Sequence, residues 1–426
     1  MGEKKAFLKQ VTNPIKSKEA KKFVALELEQ HMEAVVRNMI KSGLSREEAE
    51  CQAVKRMGDP VKLGIKMDKL HRPKIDWSLL SLVLLLYLIG FLPFLITQYE
   101  FQFSLFKKSM DVLLGILIVL TLMMFDYRRL KKTYWLMLGV AGIILILVFH
   151  FGFSSWMVNG VQFAQFGTFS ANSLIVIPLL FIGWAGLLHR YANRSLLISG
   201  LFLLSLALYI PISPVPNVVV YVVMVVVMYL WSIRNQSKKL VGSIIAALFS
   251  VITVCLLVFW KSSSLYIRKR LMGFLFPEQY ESTYGYFYLQ FKKYLSEAGW
   301  FGQFPQIEKI EMVEMYTDMI FVTLTYSFGW IFAIIIVLFL AAIMVRICWI
   351  SRKTPDSFGQ LIIFGAAALY TVQFVYNIGM VLGLFPIAGF SLPFISYGSS
   401  PAVINSIIIG LVLSVYRRKK LIVSIN

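Results

Sequence analysis

The chain has 426 residues, of which 58% are apolar, and its mean hydropathy is +0.72. Soluble domains are about 45–50% apolar, so this composition excludes a soluble protein and assigns most of the chain to lipid. The formal net charge of +20 indicates basic residues that set the orientation of the chain in the membrane and attract anionic lipid headgroups. Nucleic-acid binding is disfavoured, because no basic soluble domain is evident.

Cysteine and histidine give no sign of a disulfide or a metal cage. Cys51, Cys255 and Cys348 have no paired spacing, and the four histidines are isolated from one another. Residues 1–76 are polar and helical in pattern, so no cleavable signal peptide is expected ahead of the first apolar run.

Residues 1–73 are predicted to form a small cytoplasmic bundle of helices. One helix ends at Gly43, and a second begins at Ser45, whose hydroxyl caps it while Glu48 completes a capping box. A third, short helix can begin at Asp59. The pattern resembles the helical prefix domain found before some bacterial permeases and sensors. Two interpretations stay open: a solvated membrane-proximal bundle without chemistry, and a docking module.

Residues 74–426 contain ten apolar runs, each with at most one charged residue, that are long enough to cross a hydrocarbon core about 30 Å thick. The runs cover residues 77–97, 109–125, 133–150, 172–189, 195–212, 215–232, 242–260, 317–345, 358–382 and 401–416. The predicted fold class is therefore all-α, a polytopic membrane protein with about ten transmembrane helices. Basic clusters alternate with charge-poor loops along these runs, which predicts that both termini are cytoplasmic.

The loop at about residues 261–316 is the one predicted extracytoplasmic segment with many charges. It holds seven cations, among them Arg268, Arg270 and Lys292, against six glutamates. Arg and Lys are natural partners of phosphate oxygens. A pyrophosphate-bearing lipid headgroup is therefore one candidate ligand for the loop, and a solvated loop that pairs its own charges is the alternative.

Residues 383–400 place proline, glycine and small polar residues between two long apolar runs. Irregular backbone at membrane depth is stable only where protein or a water-filled cavity satisfies its amides and carbonyls. The order Pro386, Gly389, Pro393 and Ser396-Tyr-Gly-Ser-Ser400 resembles the C-terminal signature of the SEDS family (shape, elongation, division and sporulation). These are the polytopic peptidoglycan glycosyltransferases of the FtsW/RodA/SpoVE type, and the resemblance runs from about residue 76 to the C terminus.

The resemblance also covers the start of the eighth run. Glu314-Met-Tyr-Thr-Asp318-Met-Ile-Phe321 is similar to the family's Glu-x-His-Thr-Asp-Phe-Ile-Phe, whose aspartate is the proposed catalytic residue. This implies that Asp318 is a general base, and a carboxylate at membrane depth is usually functional. The alternative is that Asp318 or Thr317 only caps a helix N-terminus.

Further substrate-binding residues are implied around this aspartate. The predicted set is Arg268, Arg270, Lys292, Glu314, Thr317, Asn377, Pro393, Ser396, Tyr397, Ser399 and Ser400. For Asn377, a polar residue in an apolar helix, a specific interhelical hydrogen bond and plain packing are both open. No metal ligand is in the set, and no cofactor is firmly expected. A divalent cation such as Mg²⁺ or Mn²⁺ held by acids near Asp318 stays an open alternative.

The resemblance implies an enzyme that polymerises lipid II into a β-1,4 glycan and releases undecaprenyl pyrophosphate. Its place is the bacterial plasma membrane during division, elongation or sporulation, and a class B penicillin-binding protein is the implied partner. Several motifs depart from the family pattern: Gln162-Phe163 replaces an Arg-Trp pair, Asn217 an acid, Tyr316 a histidine and Tyr326-Ser327 an acidic pair. Two other functions are therefore kept, a non-catalytic scaffold or regulator of cell-wall synthesis and a flippase of lipid-linked precursors.

Overall fold

Helices dominate the computed structural model of this protein. The residues that it describes are 3–95, 101–146, 155–158, 161–166, 169–210, 213–234, 265–303 and 316–421. Two compact units result: Met1–Asp76 with Val415–Asn426, and Trp77–Ser414.

The first unit begins with four helices, α1 Glu3–Thr12, α2 Lys18–Lys41, α3 Arg46–Met57 and α4 Pro60–His71. The predicted capping box is confirmed, because Ser45 Oγ accepts from the Glu48 amide and the Glu48 carboxylate accepts from the Ser45 amide. Gly43 has a φ of 97° just after α2, a conformation that glycine adopts without steric strain. The Asp59 side chain caps α4, where Pro60 takes the first helical position.

The core of the first unit includes the end of the chain. Leu421 is 1% exposed and belongs to the hydrophobic cluster formed by α1 and α2. The fully buried guanidinium of Arg418 donates from Nη2 to Glu19 Oε1 at 2.8 Å. His71 Nδ1 lies 2.8 Å from the carbonyl oxygen of Lys420. Residues from both ends of the sequence therefore stabilise this unit.

The described part of the second unit contains eleven helices. They are α5 Trp77–Ile89, α6 Phe101–Met124, α7 Tyr134–Ile144, α8 Ile177–Tyr191, α9 Ser195–Tyr209, α10 Val215–Ser232, α11 Leu265–Leu275, α12 Tyr286–Glu297, α13 Ile320–Arg352, α14 Ser357–Val381 and α15 Ser399–Arg418, whose last residues belong to the first unit. Helix α14 packs against α8, α10 and α13.

Six segments of the described residues are long and apolar enough to span a membrane. They are Trp77–Phe94, Ser173–Tyr191, Val215–Ser232, Ile320–Arg352, Ser357–Val381 and Ser399–Arg418. Nine of the ten predicted runs coincide with helices in the described part of the chain. The tenth, at 242–260, lies outside the described residues. The prediction of a helical, polytopic membrane fold is confirmed.

A small antiparallel sheet, which the sequence pattern did not predict, lies between α7 and α8. Its strands are β1 Ser155–Val158, β2 Val161–Phe166 and β3 Phe169–Asn172, in the order β1-β2-β3. Val158 pairs with Val161, and Phe166 pairs with Phe169. Neighbouring strands are therefore paired in register up to their adjoining ends.

Helix α13 is broken at Gly329, which has a φ of 83° and a ψ of 172°. The segment that follows α12 forms hydrogen bonds with the backbone on both sides of this break. The Trp330 amide donates to the Gly299 carbonyl at 3.0 Å, and the Gln303 amide donates to the Tyr326 carbonyl at 3.0 Å. A Cβ atom on Gly329 would collide with the Trp300 carbonyl. Glycine is therefore required where the outer segment meets the helix.

Candidate active site

Asp318 lies half-buried in the turn before α13, and separate residues hold its main chain and its carboxylate. Asn377 of α14 is buried, and its Nδ2 donates to the carbonyl oxygens of Asp318 at 2.8 Å and Phe390 at 2.5 Å. The hydroxyl of Ser391 donates to Asp318 Oδ1 at 3.1 Å. One amide therefore joins the turn to the loop that orients the carboxylate.

That loop connects α14 to α15 and covers residues 382–398; we call it the C-terminal loop. It also contacts the two residues before Asp318. Ser396 Oγ donates to the Thr317 carbonyl at 2.7 Å, and the Tyr397 amide donates to the Tyr316 carbonyl at 2.7 Å. Three consecutive residues of the turn are thus bonded to one loop or to the helix before it, which fixes the position of the aspartate.

Gly389 faces the Asp318 carboxylate and also lines a small cavity of about 20 Å³, space for about one water molecule. A Cβ atom on Gly389 would be 3.6 Å from Asp318 Oδ2, so a residue without a side chain faces this oxygen. Gly389 and Ser391 line the cavity together with the amide side chains of Asn217 and Gln373. The rest of the lining is apolar and consists of Leu174, Ile177, Val220, Leu369, Phe390, Pro401 and Ile404.

The alternative role for Asp318, as a helix cap, has less support from the geometry. Helix α13 begins at Ile320, and its N-cap is Met319, whose side chain makes no capping hydrogen bond. The hydrogen bond from Ser391 shows that the Asp318 carboxylate faces the C-terminal loop. This arrangement is typical of an oriented site residue.

The three predicted cations of the outer loop differ in their surroundings. Arg268 on α11 and Lys292 on α12 are exposed, whereas Arg270 is half-buried close to Tyr288. Burial raises the pKa of Tyr288, and the charge of Arg270 opposes part of that rise. The Tyr288 hydroxyl accepts from the Ile387 amide at 2.7 Å. Arg270 is therefore linked through one tyrosine to the C-terminal loop.

The other predicted residues lie in or next to the C-terminal loop. Pro393 and Ser396 are buried, and Ser399 and Ser400 are half-buried at the start of α15. Asn377 makes hydrogen bonds from a helix to a turn and a loop, which explains this polar residue in an apolar helix.

Glu311 and Glu314, the acids near Asp318 in sequence, lie outside the described residues, so the predicted substrate contact of Glu314 and a metal site with these acids stay predictions. Within the described ranges, no group of three His, Cys, Asp or Glu side chains is close enough to hold a metal ion.

Four residues that the structure brings to this site were not predicted from the sequence. Ser391 bonds the Asp318 carboxylate and Gly389 faces it. Both lie in the segment 383–400, which its prolines and glycines had identified as irregular. Lys108 and Asp111 of α6 contact the other end of the C-terminal loop. Their only signal was charge at the start of an apolar run, which does not indicate a partner almost 290 residues away.

Comparison with known proteins gives consistent matches. Residues 74–421 match the FtsW/RodA/SpoVE family, described as cell cycle protein. A Geobacter sp. relative, the probable peptidoglycan glycosyltransferase FtsW, is 27% identical over 75% of this chain and 88% of its own length. The protein of the same description from Trichlorobacter lovleyi is 33% identical, over 37% of this chain and 42% of its own length. That second alignment spans less than half of either protein.

Solved structures share the fold. A chain from a study of how a peptidoglycan synthase complex coordinates polymerization and crosslinking has a TM-score of 0.68 at 22% identity, covering 81% of this chain and 98% of that one. The rod shape determining protein RodA of Thermus thermophilus has a TM-score of 0.59 at 20% identity, covering 81% and 97%. With the family match extending over residues 74–421, the chain belongs to the FtsW/RodA/SpoVE family of cell cycle proteins.

Proposed function

We propose that this chain is a peptidoglycan glycosyltransferase of the bacterial plasma membrane that polymerises lipid II, with both termini in the cytoplasm. The descriptions of its relatives support the reaction class, and the basic clusters between apolar runs support the orientation. The observation that carries the proposal is the Asp318 carboxylate, which Ser391 orients and Gly389 faces.

Asp318 acts as the general base in this mechanism. Ser391 orients Oδ1, and Oδ2 faces Gly389, where the small residue gives an acceptor hydroxyl room to approach. The hydroxyl transfers its proton to the carboxylate while its oxygen forms a bond to the anomeric carbon of the donor sugar. The bond from that carbon to the pyrophosphate oxygen breaks, and undecaprenyl pyrophosphate leaves with the electron pair.

The departing pyrophosphate needs positive charge nearby. Arg270, with Arg268 and Lys292 on the same outer segment, supplies guanidinium and ammonium donors for phosphate oxygens. Arg270 is the leading candidate of the three, because its neighbour Tyr288 is bonded to the C-terminal loop.

The test is polymerisation of fluorescent lipid II by the purified protein and by Asp318→Asn. The amide keeps the size of the side chain but has no basicity, so we expect a rate at least about 100-fold lower. Asp318→Glu, which keeps a carboxylate, should retain more activity than the amide. Gel filtration and thermal unfolding check that both variants are folded. Wild-type polymer formation by Asp318→Asn would remove Asp318 from the mechanism.

Two altered motif positions favour a second candidate, a scaffold without activity. Tyr316 stacks on Phe94 with ring centroids 5.0 Å apart, and Ser327 Oγ donates to the Thr323 carbonyl at 2.7 Å. Both residues serve packing at positions where charged or titratable groups are usual. A scaffold would bind a class B penicillin-binding protein while making no polymer.

A third candidate, a flippase, would move labelled lipid II across a vesicle membrane without making polymer. All of these assays should be run in Mg²⁺, in Mn²⁺ and in EDTA, so that the lack of a required ion is not mistaken for an inactive protein.

A further inference from the structure

Two charged residues of α6 are buried next to the C-terminal loop. Lys108 is 2% exposed and Asp111 is 6% exposed. The Lys108 ammonium donates to the carbonyl oxygens of Ile395 at 2.9 Å and Ser396 at 2.8 Å. Ser399 Oγ donates to Asp111 Oδ1 at 2.6 Å. One turn of α6 therefore contacts both the end of the loop and the start of α15.

A buried charge is unfavourable unless hydrogen bonds or an opposite charge compensate it. Here the two carbonyls solvate the ammonium, and Lys108 and Asp111 attract each other electrostatically at a spacing of three residues. Among the described residues, Asp111 Oδ2 has no hydrogen-bond partner. Lys107 and Lys108 both attract the Asp111 carboxylate. Lys108 is the buried one of the two and also bonds the loop, so its removal should disturb both contacts.

The absence of a side chain at Gly90 leaves space for the contact between Lys108 and the loop. A Cβ atom on Gly90, just after α5, would lie 2.5 Å from the Ile395 carbonyl oxygen and 3.1 Å from Lys108 Nζ. Any side chain at Gly90 would therefore displace the group that Lys108 bonds. The geometry at Gly90 does not depend on the charges of Lys108 and Asp111, and it identifies the same contact between Lys108 and the Ile395 carbonyl.

The contact continues directly to the candidate base. Ser396, whose carbonyl accepts from Lys108, donates its hydroxyl to the Thr317 carbonyl at 2.7 Å. Thr317 is bonded covalently to Asp318, and Ser391 of the same loop orients the Asp318 carboxylate. Three hydrogen bonds thus connect α6 to Asp318 through the C-terminal loop: Lys108 to Ser396, Ser396 to Thr317, and Ser391 to the Asp318 carboxylate.

We propose that Lys108 and Asp111 are positioning residues that hold the C-terminal loop so that Ser391 and Thr317 keep Asp318 in its reactive orientation. The catalytic part of this proposal rests on the proposed function. Neither residue contacts the reacting atoms. A misplacement of about 1 Å at a catalytic group can lower a rate about 100-fold, so a loosened loop should lower kcat and leave KM close to its original value.

The experiment compares Lys108→Met, Lys108→Arg and Asp111→Asn with a matched control, Lys132→Met. Lys132 is an exposed cation beyond the C-terminal end of α6. The adjacent cation Lys107 is unsuitable as a control, because its Nζ lies 5.8 Å from the centre of the Tyr397 ring and its charge also attracts Asp111. Two properties are measured on the full-length protein in lipid nanodiscs. The first is hydrogen exchange of the backbone amides of residues 391, 392 and 394–397, and the second is kcat and KM for lipid II polymerisation.

We expect Lys108→Met to speed exchange of the loop amides about tenfold or more and to lower kcat about 10- to 100-fold, with KM changed less than about twofold. Lys108→Arg should restore part of both properties, because a guanidinium can donate to the same carbonyls. Asp111→Asn should have a smaller effect, since its amide oxygen still accepts from Ser399. Lys132→Met should behave like the wild type.

Wild-type exchange and wild-type kcat in Lys108→Met would overturn the proposal. Faster exchange with unchanged kcat would overturn the catalytic part. A wild-type protein that makes no polymer would refute the proposed function, and hydrogen exchange would still decide whether Lys108 holds the loop. If Lys108→Met does not fold, Gly90→Ala supplies a second variant that displaces Ile395 without changing charge.

Discussion

The side-chain amide of Asn377 lies 2.8 Å from the main-chain carbonyl oxygen of Asp318 and donates a hydrogen bond to it. The same Nδ2 donates to the carbonyl of Phe390. A buried residue of α14 thereby holds the candidate base through its backbone, which leaves the carboxylate available for contacts on the other side. Removal of this amide tests whether backbone position matters for the chemistry.

Replacement of Asn377 by Leu keeps most of the volume and removes both donors. We expect the free energy of unfolding to fall by about 1–3 kcal/mol, because two carbonyl groups lose their hydrogen-bond donor. We also expect kcat to fall by a larger factor than the affinity for lipid II, because binding does not depend on the position of Asp318. Thermal unfolding and single-turnover polymerisation measure the two effects. Val375→Ala, on the exposed face of the same helix, is the control. Normal stability and normal kcat in Asn377→Leu would contradict the inferred anchoring role.

The break in α13 gives a second prediction. Gly302 and Gly329 both have a φ of 83°, and a Cβ on either one would meet the main chain of the other segment. Ala at Gly329 should destabilise the protein by more than about 1–2 kcal/mol, since the left-handed conformation and the collision both disfavour it.

Gly200→Ala is the matched control for Gly329→Ala. Gly200 lies in α9, and a Cβ atom added there would have no other atom within 4 Å, so alanine should be neutral or stabilising by up to about 1 kcal/mol. Thermal unfolding in detergent, followed by tryptophan fluorescence, distinguishes the two variants. Equal unfolding temperatures would show that the contact between the outer segment and the break is unimportant.

Arg270 is expected to bind substrate more strongly than Arg268. A charged hydrogen bond to phosphate is worth about 1.5–3 kcal/mol, so Arg270→Gln should raise the KM for lipid II about tenfold or more. Arg268→Gln should have a smaller effect, because that side chain is exposed. Lys293→Gln, another exposed cation on α12, is the control. An unchanged KM for Arg270→Gln would assign these cations to the folding of the outer loop itself.

The buried pair of Arg418 and Glu19 should stabilise the first unit. Arg418 is fully buried, while the Glu19 side chain is 38% exposed, so solvent reduces the effect below the value for a fully buried pair. We expect Arg418→Met to lower the free energy of unfolding of this unit by about 1–3 kcal/mol. Faster limited proteolysis of residues 1–76 is the measurement. Lys420→Met, at an exposed position, should leave proteolysis unchanged, and equal proteolysis of all three proteins would refute the prediction.

Removal of residues 1–68 should leave polymerisation intact and alter only localisation, regulation or partner binding. The truncated protein keeps Lys69 to Lys74 as the basic flank of the first span. The deletion also exposes Leu421, which is otherwise buried against α1 and α2. A second truncation with Leu421→Ser therefore controls for aggregation. Loss of polymer synthesis in a stable, correctly inserted truncation would make the prefix part of the working enzyme.

The sequence by itself determined the features that depend on near neighbours along the chain. Long apolar runs predicted the membrane helices, because a helix satisfies its own backbone within the hydrocarbon core. The spacing of Ser45 and Glu48 predicted the capping box, since both of its hydrogen bonds span three residues. The sequence also marked Asp318 as a candidate base by its resemblance to a family motif, and it marked the C-terminal loop by its prolines and glycines.

Only the tertiary structure decided which distant groups meet. Lys108 reaches carbonyls of Ile395 and Ser396, residues separated from it by 287 and 288 positions, and Arg418 reaches Glu19 across 399 positions. Local spacing cannot specify such pairs, because a charged or polar side chain has the same local signature whichever helix later packs against it. The packing of α6 and α14 around the C-terminal loop selects the partners. Burial then makes those partners necessary, since a charge without compensation is unfavourable in the protein interior.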